Sequence, residues 1–238
     1  MTSTKTIAFL GASTGVGLSA LKTSLAAGHQ CVALCRDPAK LSSIDSPNLR
    51  IVKGNAHDIS SVSKLLLASE GKFVDEIVST IGGKFVVSKF SLDDVNVCEK
   101  GMDAILQAIR QLHEQGVTGR PHIIMFSTTG MSKFGRDIPL LMVPMYHVLL
   151  KVPHEDKRKA EDKLAESGEQ FTIVRASLLT DGKSDNVIRV GIEDPKNGIE
   201  VLTLGYTISR QDAGRWTAEN LVHKIDEKYL NKTLTITY

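Results

Sequence analysis

The stretch FLGASTGVGLSAL, residues 9–21, ends one apolar run and begins a helical one. KTIAFLG (5–11) reads as a strand, and an amphipathic pattern continues from about Gly15 to Ala27. Gly11, Gly15 and Gly17 fall on the turn between them. Glycine lets the backbone turn sharply and approach a pyrophosphate, while the helix start offers free N–H groups and a positive dipole end. Ser13 and Thr14 add hydroxyl donors, and Val16 completes the candidate phosphate-side set. A glycine pattern alone is weak. Placed directly on strand one and opening a helix, it is strong.

Outward from this turn, apolar runs bounded by polar turns alternate with helical periodicity. QCVALC (30–35) is a second strand, and RDPAKL starts a short helix with Asp37 as N-cap and Pro38 at the first helical position. LRIVKGN is a third strand, followed by the helix DISSVSKLLLAS. DEIVSTIGG (75–83) and PHIIMFST (121–128) are strands four and five, with a long helix across roughly 92–114 between them. HEDKRKAEDKLAESG (154–168) is an amphipathic helix with a solvated charged face, and FTIVRASLL (171–179) is strand six. The tail adds a strand near 199–206, a helix from Ser209 to about Lys228 and the strand TLTITY. Near-continuous apolar strands in β-α alternation predict a doubly wound, Rossmann-like parallel sheet covered on both faces. One α/β domain over residues 1–238, with a small C-terminal substrate-side extension, accounts for the whole pattern.

Composition narrows the function. With 29 basic and 27 acidic residues, no nucleic-acid or membrane-surface field is expected. Cys31, Cys35 and Cys98 lack metal-ligand spacing, so no metal site is expected, and so few cysteines suit a reducing compartment. The start of the chain lacks a secretory pattern, and the most apolar window (138–152) is short and holds two prolines. A cytoplasmic monomer or homodimer acting on a small molecule is the expectation.

The Gly-x-x-x-Gly-x-Gly spacing resembles the short-chain dehydrogenase/reductase superfamily. GASTGVG, GNAHDIS, VSTIGG, HEDKRKAEDKLAESGEQFTIVRASLLTDG and ISRQDAGRW together resemble its atypical branch of small NAD(P)H-binding proteins, which includes biliverdin reductase B-like and NmrA-like proteins. FSTTGMSKFGRDIPLLMVPMYHVLLKVPHEDK further resembles fungal oxidoreductases of aromatic polyketide pathways, near averufin oxidase. The resemblance implies an NADP(H) cofactor site. It sets Asp58 and Ile59 beside the adenine, with helix capping an equal reading for Asp58.

Two further cofactor assignments come from position. Arg36 stands nineteen residues after Gly17 at the end of strand two, where an arginine meets a 2′-phosphate and favours NADPH over NADH. Thr80, Ile81 and Gly82 follow strand four, at the carboxyl ends where such sheets bind ligands, although Gly82-Gly83 also reads as a plain turn.

Proton transfer is less legible. The superfamily's usual tyrosine and lysine lie four apart on one helix, whereas Tyr146 and Lys151 lie five apart. Four residues subtend about 40° around a helix and five about 140°, so His147 and Lys151 can share a face while Tyr146 and Lys151 cannot. Candidate donors are Ser127, Thr128 and Thr129 after strand five, Tyr146, His147, Lys151, His154 and Lys157. Ser127 equally suits backbone capping, Tyr146 the core, and Lys157 a solvated helix face. RASLLTDG (175–182) carries a loop toward the nicotinamide, with Ala176 where the family more often has proline. An NADPH-dependent reductase of an aromatic or quinonoid substrate is the leading reading. Redox-neutral isomerisation, dehydration or epoxide opening, and a non-enzymatic NADP(H) sensor, stay open beside it.

Overall fold

The computed structural model describes residues 3–69, 71–83, 85–86, 91–144, 146 and 150–238. A nine-stranded sheet among these residues forms its centre. In chain order its strands are β1 (Thr6–Leu10), β2 (Gln30–Cys35), β3 (Leu49–Lys53), β4 (Glu76–Ser79), β5 (His122–Thr128), β6 (Phe171–Ala176), β7 (Arg189–Asp194), β8 (Gly198–Val201) and β9 (Lys232–Thr237). They lie side by side as β3-β2-β1-β4-β5-β6-β9-β7-β8. All pairs from β3 to β9 are parallel, while β7 and β8 join antiparallel at one edge. The chain winds outward from β1 to β3, then starts again on the other side at β4. That reversal leaves a crevice beyond the carboxyl ends of β1 and β4.

Among the described residues five helices cover the two faces: α1 (Gly15–Ala26), α2 (Ile59–Leu66), α3 (Val97–Glu114), α4 (Lys151–Glu166) and α5 (Arg210–Thr217). Side chains alternate across a strand, so Ile77, Ile123 and Ile173 join the core under α2, α3 and α4. Their neighbours Val78, Ile124 and Val174 join the core under α1 and α5. Both faces are therefore dry, as the unbroken apolar strands require. None of the described helices is long and apolar enough to cross a membrane.

The tail departs from its sequence pattern. RVGIED, interrupted by glycine and ending in acids, carries no strand signal, yet it forms β7 because β9 offers it an open edge. Gly191 lets β8 close in: a Cβ there would lie 2.9 Å from Val201 O. The segment expected as one strand near 199–206 is β8, followed by a separate short strand, Thr207–Ser209, paired with Leu178–Thr180. The expected helix to Lys228 is shorter: α5 widens into a π-turn over Ala218–Val222 and stops. The helix after strand three ends at Leu66, and the long helix starts at Val97. In contrast, α4 begins three residues before His154, because Pro153 sits in its first turn, where a missing N–H costs nothing.

At the amino ends of the strands lies a buried polar chain. Lys5 Nζ meets Glu76 Oε1 at 2.9 Å, Glu76 Oε2 meets His122 Nδ1 at 2.7 Å, and His122 Nε2 meets Thr172 Oγ1 at 3.0 Å. Beside it the buried His29 accepts the Lys5 N–H on Nδ1 at 3.2 Å and lies 5.0 Å from the His223 ring. Burial, then His223 and Lys5, hold the His29 pKa below its ordinary value, against a smaller upward pull from Glu76 and Asp75. The folded state thus keeps this ring neutral, whereas the unfolded chain takes up a proton near pH ~6.5. Stability therefore falls as pH drops below that value. Thermal melts from about pH 7 to about pH 5.5 should show a smaller loss in His29→Asn than in the parent chain. Equal losses in both would assign the acid sensitivity elsewhere.

Candidate active site

The glycine turn sits at the crevice. Gly11 has φ +86° and Gly15 φ +57°, both in the left-handed region that disfavours a side chain. Thr14 is the N-cap of α1, makes no side-chain capping bond, and no acidic residue lies in the first turn. The leading N–H groups of α1 thus receive no carboxylate from their own turn. Two other helix starts differ: Asp58 caps α2, and Ser209 caps α5. A cleft of about 400 Å³ opens there, lined by Gly11, Ser13, Thr14, Arg36, Thr80, Ile81 and Gly82 among others. Exposed backbone donors, hydroxyls and a cation around a cavity form a donor set that fits a dinucleotide's phosphates. Several lining residues escaped the sequence reading. Lys40 brings a second cation to the Arg36 side of the cleft, Asn55 and His57 enter from the loop after β3, and Asp93 and Asp94 line it before α3. Lys40 carried no signal because it is an ordinary lysine on a short helix.

Four of the expected cofactor residues are placed otherwise. The Val16 side chain belongs to the core under α1. Asp58 accepts from Ser61 N at 2.9 Å and Ser61 Oγ at 2.5 Å, and these bonds hold its carboxyl below the ordinary range. It is a helix cap. Ile59 packs against the core under α2 and does not line the cleft. Gly17 works through packing, since a Cβ there would lie 2.7 Å from Gly11 O and would also clash with Thr80 Oγ1. A valine at Gly17 would therefore disturb the fold itself.

Beyond β5 the candidate donors converge in part. Ser127 is only 4% exposed, and its Oγ makes no hydrogen bond among the described residues. An orphaned buried hydroxyl costs about 1–3 kcal/mol, so it demands an explanation. Thr128 is half-buried. Lys157 reaches back from α4 and places Nζ 3.4 Å from Phe126 O, beside the strand end. Tyr146 is buried, with its hydroxyl 3.4 Å from Thr129 Oγ1 and its ring 5.5 Å from that of His154, also buried. Burial pushes the Tyr146 phenol up, only partly offset by the Thr129 hydrogen bond. Gly130 makes room for this cluster: at φ +89°, a Cβ would lie 2.6 Å from the Tyr146 ring.

Lys151 is exposed and separated from Tyr146 by a bend at Leu150. His147 lies outside the described residues. The following loop is pinned by Asp137, whose Oδ2 accepts the N–H groups of Gly130 at 2.9 Å and of Met131 and Ser132 at 3.3 Å.

The charged helix α4 is less solvated than its sequence suggests. Asp156 is buried and caps α3 from outside, accepting from Cys98 N and Glu99 N at 2.9 Å each. Glu161 is buried against Arg175, with Nη2–Oε2 at 2.7 Å, while Arg175 Nη1 meets Glu193 Oε1 at 3.0 Å. Arg175 thus serves the core between β6, α4 and β7. Lys163 bridges to Asp103 and Glu99 on α3 at 2.7 and 3.0 Å. His154 and Lys157 therefore ride on a helix locked to its neighbours by charge.

Comparison with known proteins agrees with this geometry. An NAD(P)H-binding family matches residues 11–224. The reductase pytE of Aspergillus terreus is 42% identical over 269 residues, covering 100% of both chains. The oxidase pynE of Aspergillus niger is 32% identical, covering 98% of each. A short-chain dehydrogenase/reductase from Veillonella parvula, solved in complex with NADP, superposes with a TM-score of 0.75 at 15% identity over 99% of this chain and 95% of that one. ChuY, an anaerobillin reductase from Escherichia coli O157:H7, gives 0.67 at 18% identity over 97% and 96%. At such identities the structural likenesses speak for the fold.

Proposed function

The chain belongs to the NAD(P)H-binding family and is an oxidoreductase of it, and from that premise we propose an NADPH-dependent reductase of a small aromatic or quinonoid compound, working in fungal secondary metabolism. The observation that carries this reading is the cleft at the switch point. There the glycine turn, the uncapped start of α1 and the cations Arg36 and Lys40 face one cavity. Asp37, the acidic competitor at the end of β2, spends its carboxylate on the Ala39 N–H. A 2′-phosphate dianion suits an arginine fork with a second cation, so the phosphorylated cofactor is favoured. The resemblance of residues 126–157 to oxidoreductases of aromatic polyketide pathways supports the substrate class. Residues 3–238 act in this reading as one domain, with the pairing of 178–180 and 207–209 on the substrate side.

Bound nicotinamide would supply the hydride; the chain's own residues hold and protonate. Gly11, Ser13, Thr14 and Gly15 hold the phosphates, and Thr80, Ile81 and Gly82 line the path from them toward β5. Ser127 offers a hydroxyl to the substrate oxygen. The Lys157 ammonium adds positive charge beside it, favouring an oxygen that gains electron density. The buried phenol of Tyr146 stays protonated and shapes the wall with His154.

Stopped-flow oxidation of NADPH and NADH against a panel of quinones and aromatic carbonyl compounds tests the reading. NADPH should be consumed in step with one of them. Substrate turnover without loss of NADPH would replace it by redox-neutral chemistry. Arg36→Ala should weaken NADPH by about 1.5–3 kcal/mol and leave NADH nearly unchanged. Equal weakening of both would move the 2′-phosphate elsewhere.

A further inference from the structure

On the far side of the glycine turn lies a second cavity, of about 570 Å³, lined by Thr14, Gly15, Lys22, Asp181, Arg210 and Gln211 among others. Thr14, the N-cap of α1, lines both cavities. Arg210, the first residue of α5, lays its stem across the bare backbone of Gly15. Its Cδ lies 3.3 Å, and its Nε 4.0 Å, from where a Gly15 Cβ would stand. A helix start carries roughly half a positive charge, and α1 has no acidic residue in its first turn. Bringing a guanidinium there is unfavourable unless an anion joins them.

The anion present is Asp181, with Oδ1 2.9 Å from Arg210 Nη1. Its side chain is 81% exposed and that of Arg210 36%. So solvated a pair contributes little and exchanges readily. The loop around it is tied to the same helix start: Gly182 N donates to Gln211 Oε1 at 3.1 Å and Ser184 N to Asp212 Oδ2 at 2.9 Å. The start of α5 is also fixed to α1 without Asp181, since Ser19 Oγ donates to Gln211 O at 2.6 Å, and this keeps Arg210 beside the glycine turn.

We propose that Arg210 is a ligand of the dinucleotide's pyrophosphate, supplied across the glycine turn by α5, and that it leaves Asp181 for those oxygens when the cofactor binds. A planar fork with several donors matches two linked phosphates better than one exposed carboxylate. Asp181 is thus a placeholder that competes with the cofactor. This assignment rests on the cofactor reading above, and the test separates the two.

Isothermal titration compares NADPH and 2′-phospho-ADP-ribose, which carry the pyrophosphate, with 2′-AMP, which does not. Arg210→Ala should weaken the first two by about 10–100-fold, the range of a lost charge-assisted bond, and 2′-AMP by less than twofold. Arg210→Lys should lose less, keeping charge without the fork. Asp181→Ala should bind NADPH two- to fivefold more tightly, on the order expected from releasing an exposed ion pair. Unchanged NADPH affinity in Arg210→Ala, equal loss for 2′-AMP, or weaker binding in Asp181→Ala would each overturn the assignment. Failure of the parent chain to bind NADPH at all would instead remove the cofactor reading beneath it.

Discussion

Ser127→Ala is expected to slow single-turnover hydride transfer by about 10²–10⁴, the worth of a positioned proton donor, with cofactor affinity unchanged. Tyr146→Phe should stay within about tenfold of the parent rate. The contrast follows from where each hydroxyl sits. Ser127 closes the central strand β5, and its buried Oγ has no hydrogen-bond partner among the described residues. A folded chain keeps such a group when something outside the chain completes it. Tyr146 has its company inside the protein, at Thr129 Oγ1 and against the His154 ring. Among the described residues no lysine poises it, since Lys151 is exposed beyond the bend at Leu150 and Lys157 turns to Phe126 O. Burial raises the phenol's pKa, away from the ready proton release that the usual tyrosine acid needs. His154→Ala and Lys157→Ala, measured in the same way, show whether α4 contributes. A thousandfold loss in Tyr146→Phe with intact NADPH binding would restore the conventional tyrosine mechanism. Parent-like rates in all four variants would leave protonation to water.

The largest stability effect is expected at Arg175. Arg175→Met should cost about 3–5 kcal/mol, because it strands two carboxylates in the core. Glu161 and Glu193 approach this guanidinium from α4 and β7, and Arg175 itself is only 5% exposed. Burial alone would lower the Arg175 pKa, but Glu161 and then Glu193 outweigh it and leave the cation strongly held. Ser132 Oγ also bonds Glu193, so the damage should spread to the loop after β5. For a domain with ~5–15 kcal/mol in total, such a loss takes a large share. Urea melts of Arg175→Met and of Arg175→Met/Glu161→Leu/Glu193→Leu measure it. The triple variant should recover much of the loss, because a buried ion cluster exceeds its apolar replacement by little or nothing. A single variant within about 1 kcal/mol of the parent would mean that the cluster is hydrated in solution.

Local pattern was enough wherever a residue's neighbours in sequence are also its neighbours in space. Of the six apolar runs that became β1 to β6, all but the edge strand β3 are buried on both faces, so composition alone marks them. The glycine turn was legible because strand, turn and helix are consecutive, and Asp37 could be read as a cap because its partner is two residues away. Tertiary structure decided the rest. RVGIED became a strand because β9 was there to pair with, and Asp156 became a cap because α3 starts against α4. Lys40 and Arg210 reached the cavities beside the glycine turn through the meeting of distant segments. The ring of Tyr146 came to lie beside His154 through packing in three dimensions. Periodicity reports burial along one element; which charges meet across two elements depends on the packing of the whole sheet.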